Sequence, residues 1–115
     1  MDLDVEFNFS CAHTLPFYNG PCCRLHGHNY RLLVSVTGKP NPKDGMIMDF
    51  EELRRVVLEH AVGVVDHRNL NDFMENPTAE HLVLFFWERL KPRLPGLREL
   101  RLWETPEYSV AYRGD

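Results

Sequence analysis

Polar and apolar residues alternate at both ends of this chain and recur every three to four positions in its middle. Val5, Phe7, Phe9 and Cys11 alternate with Asp4, Glu6, Asn8 and Ser10, the period-two pattern of a strand with one buried face. Tyr30, Leu32, Val34 and Val36 repeat that pattern. The turn-rich stretch from Gly38 to Gly45 ends the second strand, and Asp49 with Glu52 three residues later marks a helix start. Phe50, Leu53, Val57, Ala61 and Val64 form the stripe expected to be buried. A second helix is expected from Thr78, its cap, to about Leu94, with Leu82, Val83, Phe86 and Leu90 on one face and Pro95-Gly96 as the stop. Leu100, Leu102 and Glu104 share one face of a third strand, and Tyr108, Val110 and Tyr112 one face of a fourth. The order ββααββ predicts an α+β fold, a four-stranded antiparallel sheet carrying two helices on one face.

With 115 residues the chain is expected to be a single domain spanning 1–115, small enough that association with copies of itself would add stability. A net charge of −4, without a run of one sign, argues against nucleic acid as a partner. The most apolar segment, Leu82 to Trp87, is far shorter than a membrane span, and the acidic start Met1-Asp2-Leu3-Asp4 is unlike a secretory signal. No membrane partner is expected, and the expected location is cytoplasmic. Three cysteines, Cys11, Cys22 and Cys23, make no disulfide framework.

Candidate chemistry centres on Cys22-Cys23-Arg24-Leu25-His26-Gly27-His28. On an extended segment, His26 and His28 point to the same side, the geometry for gripping one metal ion. His13 ends the earlier strand, and three histidines leave the fourth position of a tetrahedral zinc open for water or substrate. The plainer alternative is a chance triplet of surface histidines. Glu104 falls in line with two buried leucines. It either ends its strand in solvent or accepts two parallel N–H groups of a planar ligand. Asp66-His67 could form a base relay toward Cys22, the aspartate fixing the imidazole tautomer. Alternatively it is a loop histidine with an incidental acidic neighbour.

Together, Phe9-Ser10-Cys11-Ala12-His13, Cys22 through Tyr30, Gly45-Met46-Ile47-Met48-Asp49-Phe50, Asp66 through Asn71, Asn76-Pro77-Thr78-Ala79-Glu80 and Glu104-Thr105 resemble the ordered motifs of the 6-pyruvoyltetrahydropterin and 6-carboxytetrahydropterin synthase superfamily. The resemblance covers nearly the whole chain. It implies that His13, His26 and His28 bind catalytic Zn2+, that Cys22 is the general base, and that Asp66 and His67 activate it. It further implies that Glu104 anchors a pterin ring, with Thr78 and Glu80 lining the pocket from a neighbouring subunit. The implied architecture is the tunnelling fold, in which sheets of several subunits join into a barrel, as a trimer or hexamer.

The substrate so implied is a pterin triphosphate, 7,8-dihydroneopterin triphosphate. Cys22 four residues before His26, and the short loop from Thr14 to Pro21, look like the 6-carboxytetrahydropterin synthases, which release acetaldehyde and triphosphate and serve 7-deazapurine (queuosine) synthesis. The 6-pyruvoyl branch shares the same residues and is the alternative. From another class, the rival is a non-catalytic zinc-stabilised binding module, which would not need Cys22, Asp66-His67 or Glu104. Arg24, Lys43, Arg68 and Arg113 are candidates by charge for meeting the triphosphate. Cys11 and Cys23 are expected to be inert small residues, His81 a packing or pocket-edge residue, and His60 a plain residue of the helix surface.

Overall fold

The computed structural model describes residues 1–115, with the side chain of Cys22 outside the described set. Two twelve-residue strands, β1 (Asp2–His13) and β2 (His26–Thr37), form a long antiparallel pair. β3 (Leu97–Trp103) and β4 (Ser109–Tyr112) extend it in the order β1-β2-β3-β4. The ββααββ expectation holds.

Alternation sorts the sheet into two faces. Phe7, Phe9 and Cys11 of β1, Tyr30, Leu32 and Val34 of β2, and Leu100 and Leu102 of β3 are buried beneath the helices. The other face is polar, with Arg31 laid over the Trp103 ring at 3.9 Å.

The first helix is a composite. α1 (Phe50–Val57) is capped by Asp49, whose side chain accepts the Glu51 N–H. A π-turn (Leu58–Val62) follows, then a last turn, α2 (Gly63–Val65). Leu53, Val56, Val57, Ala61, Val62 and Val65 face the core. The expected stripe is therefore corrected at both ends. Phe50 is 57% exposed, because the first helical residue overhangs the sheet, and Val65 rather than Val64 is fully buried.

α3 (Ala79–Leu90) begins where expected, the Thr78 hydroxyl accepting the His81 N–H at 3.1 Å, and buries Leu82, Val83, Phe86 and Leu90. It ends four residues before the expected Leu94, since Arg93 and Leu94 turn back to donate to the Leu90 carbonyl. Tyr108 lies outside β4 and is 71% exposed. It belongs to the hairpin turn, where its N–H reaches the Thr105 carbonyl.

The segment after α2 docks along the outer edge of β1. Ser10 donates its N–H to the Asp66 carboxylate, His67 donates to the Ser10 carbonyl, and Ala12 donates to the Arg68 carbonyl. Asn71 closes the end by exchanging two hydrogen bonds with the Thr14 backbone. This half of the edge is thereby paired within the chain, which matters because exposed strand edges recruit other strands.

Candidate active site

Strand register assembles the centre. His13 lies directly opposite His26, and Cys11 opposite His28. Odd residues of β1 and even residues of β2 share the helix-covered face, so all three imidazoles project the same way. Their ring centroids lie 4.5–5.1 Å apart. One nitrogen from each falls within a 4.8 Å cluster that could hold a metal ion.

The hydrogen bonds fix two tautomers. His13 Nδ1 lies 2.8 Å from the Pro77 carbonyl and His26 Nδ1 lies 2.7 Å from the Arg24 carbonyl. A carbonyl only accepts, so both Nδ1 atoms carry the proton and both Nε2 atoms present lone pairs. Those Nε2 atoms are 3.0 Å apart. Two acceptors that close repel unless a cation stands between them. His28 Nε2 is buried without a hydrogen-bond partner, its nearest polar neighbour being Glu104 Oε1 at 3.6 Å. Three converging lone pairs, two of them oriented by backbone carbonyls, fit a divalent metal with outer-sphere support. Burial lowers the pKa of His13 and His28, only partly opposed for His28 by the Glu104 carboxylate and for His13 by the Pro77 bond and Glu104. Both rings are thus biased toward the neutral form that a metal requires.

Glu104 follows β3 on the face of Leu102, one residue past the Trp103–Arg31 pair, which aims it at the histidines. It does not end in open solvent. Its side chain lines a cavity with Leu15, Thr78, Ala79, Glu80 and Tyr108. Thr78 and Glu80, which the resemblance assigns to a neighbour's contribution, here share that cavity with Glu104 of the same chain.

A second cavity lies toward the β1 edge, lined by Ser10, Cys11, Ala12, Gly27, His28, Asn29 and His67. His67 Nδ1 is 2.8 Å from Asp66 Oδ1, and the imidazole is otherwise exposed. Its backbone is left-handed, with φ 62°, a conformation uncommon for non-glycine residues and frequent at functional sites.

Cys22 belongs to the 3₁₀ turn Pro21–Cys23, and its expected role as base falls on a side chain outside the described residues. Cys11 is buried and donates to the Val65 carbonyl at 3.1 Å. Burial pushes its thiol up to about 11, as befits an inert residue. Cys23 is exposed. His81 is exposed and bonded through Nδ1 to the Asn76 carbonyl. Arg113 pairs with Glu99 at 2.8 Å beyond the end of β4 that faces Leu100, far along the sheet from Glu104. The carbonyls of Pro77 and Arg24 escaped sequence reasoning because any residue supplies one.

A three-imidazole centre at one end of an antiparallel meander, with a carboxylate aimed at it, makes this a small α+β protein built around a metal-binding site. The family model for 6-pyruvoyl tetrahydropterin synthase matches residues 2–115, and the chain belongs to that family. It is 42% identical over 106 residues to a dihydroneopterin monophosphate aldolase of Pyrococcus furiosus, covering 90% of this chain and 89% of the relative. It is 34% identical over 114 residues to a 6-carboxy-5,6,7,8-tetrahydropterin synthase of Synechocystis sp., covering 93% and 88%. The solved structure of Caenorhabditis elegans 6-pyruvoyl tetrahydropterin synthase superposes with a TM-score of 0.91 at 27% identity, covering 100% of this chain and 96% of that one.

Proposed function

We propose that this chain is a zinc-dependent lyase acting on the side chain of a dihydropterin phosphate, and specifically a 6-carboxy-5,6,7,8-tetrahydropterin synthase using 7,8-dihydroneopterin triphosphate. The observation that carries this reading is the convergence of the His13, His26 and His28 lone pairs beside Glu104. Zinc held there supplies a Lewis acid for side-chain hydroxyl oxygens of the substrate, making the adjacent C–H more acidic. Cys22 removes that proton as thiolate, and His67, its tautomer fixed by Asp66, accepts the thiol proton. Glu104 accepts two N–H groups of the pterin ring, and Thr78 and Glu80 border the ring's cavity.

Two features support assembly with further copies. From Asp4 to Asn8 the outer edge of β1 has no strand beside it among the described residues, and the helix-free face is polar, as a water-filled barrel lumen would be.

A second reading, aldol-type cleavage of a dihydroneopterin monophosphate, is favoured by the 42% identity to the Pyrococcus furiosus aldolase. It is also favoured by the absence of any arginine or lysine lining either cavity beside the histidines, among the described residues. A triphosphate calls for more cationic partners than a monophosphate. Incubating the zinc-loaded protein separately with the triphosphate and the monophosphate, and identifying products by mass, decides the branch. A 6-carboxy product from the triphosphate supports the first reading, a 6-pyruvoyl product moves the chain to the sister branch, and turnover of the monophosphate alone establishes the second reading. No turnover of either, with zinc bound, leaves the non-catalytic module.

A further inference from the structure

The five-residue turn inside the first helix is an interruption of regular helical geometry. At its end the Gly63 N–H donates to the Leu58 carbonyl, five residues back. A β-carbon on residue 63 would overlap that same carbonyl oxygen, and because the obstacle is backbone it cannot swing aside. Gly63 is therefore required for space, its own dihedrals being ordinary helical ones. Arg89 of α3 clamps the turn by donating Nε–H to the His60 carbonyl.

Three residues beyond Gly63 the helix ends against β1 with two specific demands. The Val65 carbonyl must meet Cys11 Sγ, and the Asp66 carboxylate must meet the Ser10 N–H at 3.0 Å while holding His67 Nδ1. One residue of α-helix adds about 100° of rotation and 1.5 Å of rise. A π-turn absorbs one surplus residue without that rotation, and such turns recur at functional sites.

We propose that Gly63 is a positioning residue for the Asp66–His67 pair, permitting the π-turn that brings the helix end to β1 in the phase that presents His67 to the cavity beside His28. The inference rests on the reading of His67 as the proton acceptor for Cys22.

The test uses the zinc-loaded full chain and whichever dihydroneopterin phosphate it turns over. Gly63→Ala forces the turn to open. The expected result is retained zinc, little change in KM, a fall in kcat of about a hundredfold as for a displaced acid–base group, and faster hydrogen exchange of the Ser10 amide. Deleting Glu59, an exposed residue of the turn, in the Gly63→Ala background removes the surplus residue, so a plain α-helix then reaches β1 in phase. Both kcat and Ser10 protection should recover. Undiminished kcat with unchanged Ser10 exchange in Gly63→Ala overturns the proposal, as does a double variant that stays slow or does not fold. If the unaltered protein turns over neither phosphate, the functional reading fails, while the Ser10 amide still decides the positioning role.

Discussion

His13 and His26 face each other through Nε2 atoms 3.0 Å apart, each ring held from behind by a backbone carbonyl. Side chains free to relax would turn two lone pairs away from one another. The Pro77 and Arg24 carbonyls prevent it, so the rings are pre-oriented for a cation. Replacing His26 with Ala should cut zinc affinity by more than the ~10–100-fold typical of losing an outer-sphere partner, with the sheet intact. Metal analysis after gel filtration checks this, and a variant that keeps a full complement of zinc refutes the three-histidine centre.

Metal-free protein should lose stability in mild acid. Burial lowers the folded-state pKa of His13 and His28, while in the unfolded chain both titrate near ~6.5. Above that value both states are neutral and the rings cost nothing. As pH falls below it, the unfolded chain takes up protons that the folded chain resists, so stability declines by about 1 kcal/mol per pH unit for each ring until the folded pKa is reached. Urea unfolding of the metal-free protein at several values between pH 7.5 and 5 should show that slope, and a variant with both histidines replaced by glutamine should lack it.

The strands and the histidine centre were legible because both are written in side chains at period two. Once Phe9 and Tyr30 face inward, alternation carries His13, His26 and His28 to the same face, and Glu104 follows Leu100 and Leu102 in the same way. What sequence could not supply depends on backbone. The π-turn inserts a residue without a polarity signal, which is why Val65 rather than Val64 reaches the core. The docking of Asp66 through Asn71 along β1 uses main-chain groups as much as side chains. The carbonyls behind His13 and His26 belong to a proline and an arginine whose side chains say nothing of the role.

The left-handed backbone of His67 separates its stability role from its chemical one. A non-glycine residue at φ 62° carries strain on the order of 1–2 kcal/mol, and its contact with Asp66 is mostly solvent-exposed, hence of little worth to stability. His67→Gly should therefore leave the melting temperature unchanged or slightly higher, relief of strain offsetting the greater freedom of the unfolded chain. Zinc content should hold while kcat falls by roughly 10²–10⁴. Full activity in the glycine variant would remove His67 from the proton path.

Glu104 should act on substrate rather than on metal. Its carboxylate is 3.6 Å from His28 Nε2, beyond hydrogen-bond distance, and it shares a cavity with Thr78 and Glu80. Glu104→Gln keeps the shape but loses the charge and one acceptor, so a charge-assisted hydrogen-bonded pair worth about 1.5–3 kcal/mol is weakened. The expected loss in kcat/KM is about ten- to a hundredfold with zinc retained, measured by steady-state kinetics beside metal analysis. Loss of zinc in this variant would instead make Glu104 part of the metal site.

The three thiols should separate by reactivity. Cys11 is buried, donates to Val65, and is pushed up to about 11, so at pH 7.5 it is a thiol shielded from reagents, whereas Cys23 is exposed. Iodoacetamide on the native protein should therefore leave Cys11 unmodified until denaturant is added, as peptide mapping would reveal. Stability tied to Cys11 is present below the unfolded thiol pKa and is lost as pH rises from there toward 11, because the unfolded chain ionises first. Cys22→Ala should keep zinc and fold yet lower kcat by roughly 10²–10⁴, the contribution of a general base, while Cys23→Ala should remain active. A folded, zinc-loaded Cys22→Ala protein with undiminished rate would return the base to another group, with His67 first in line because its imidazole already borders the cavity beside His28.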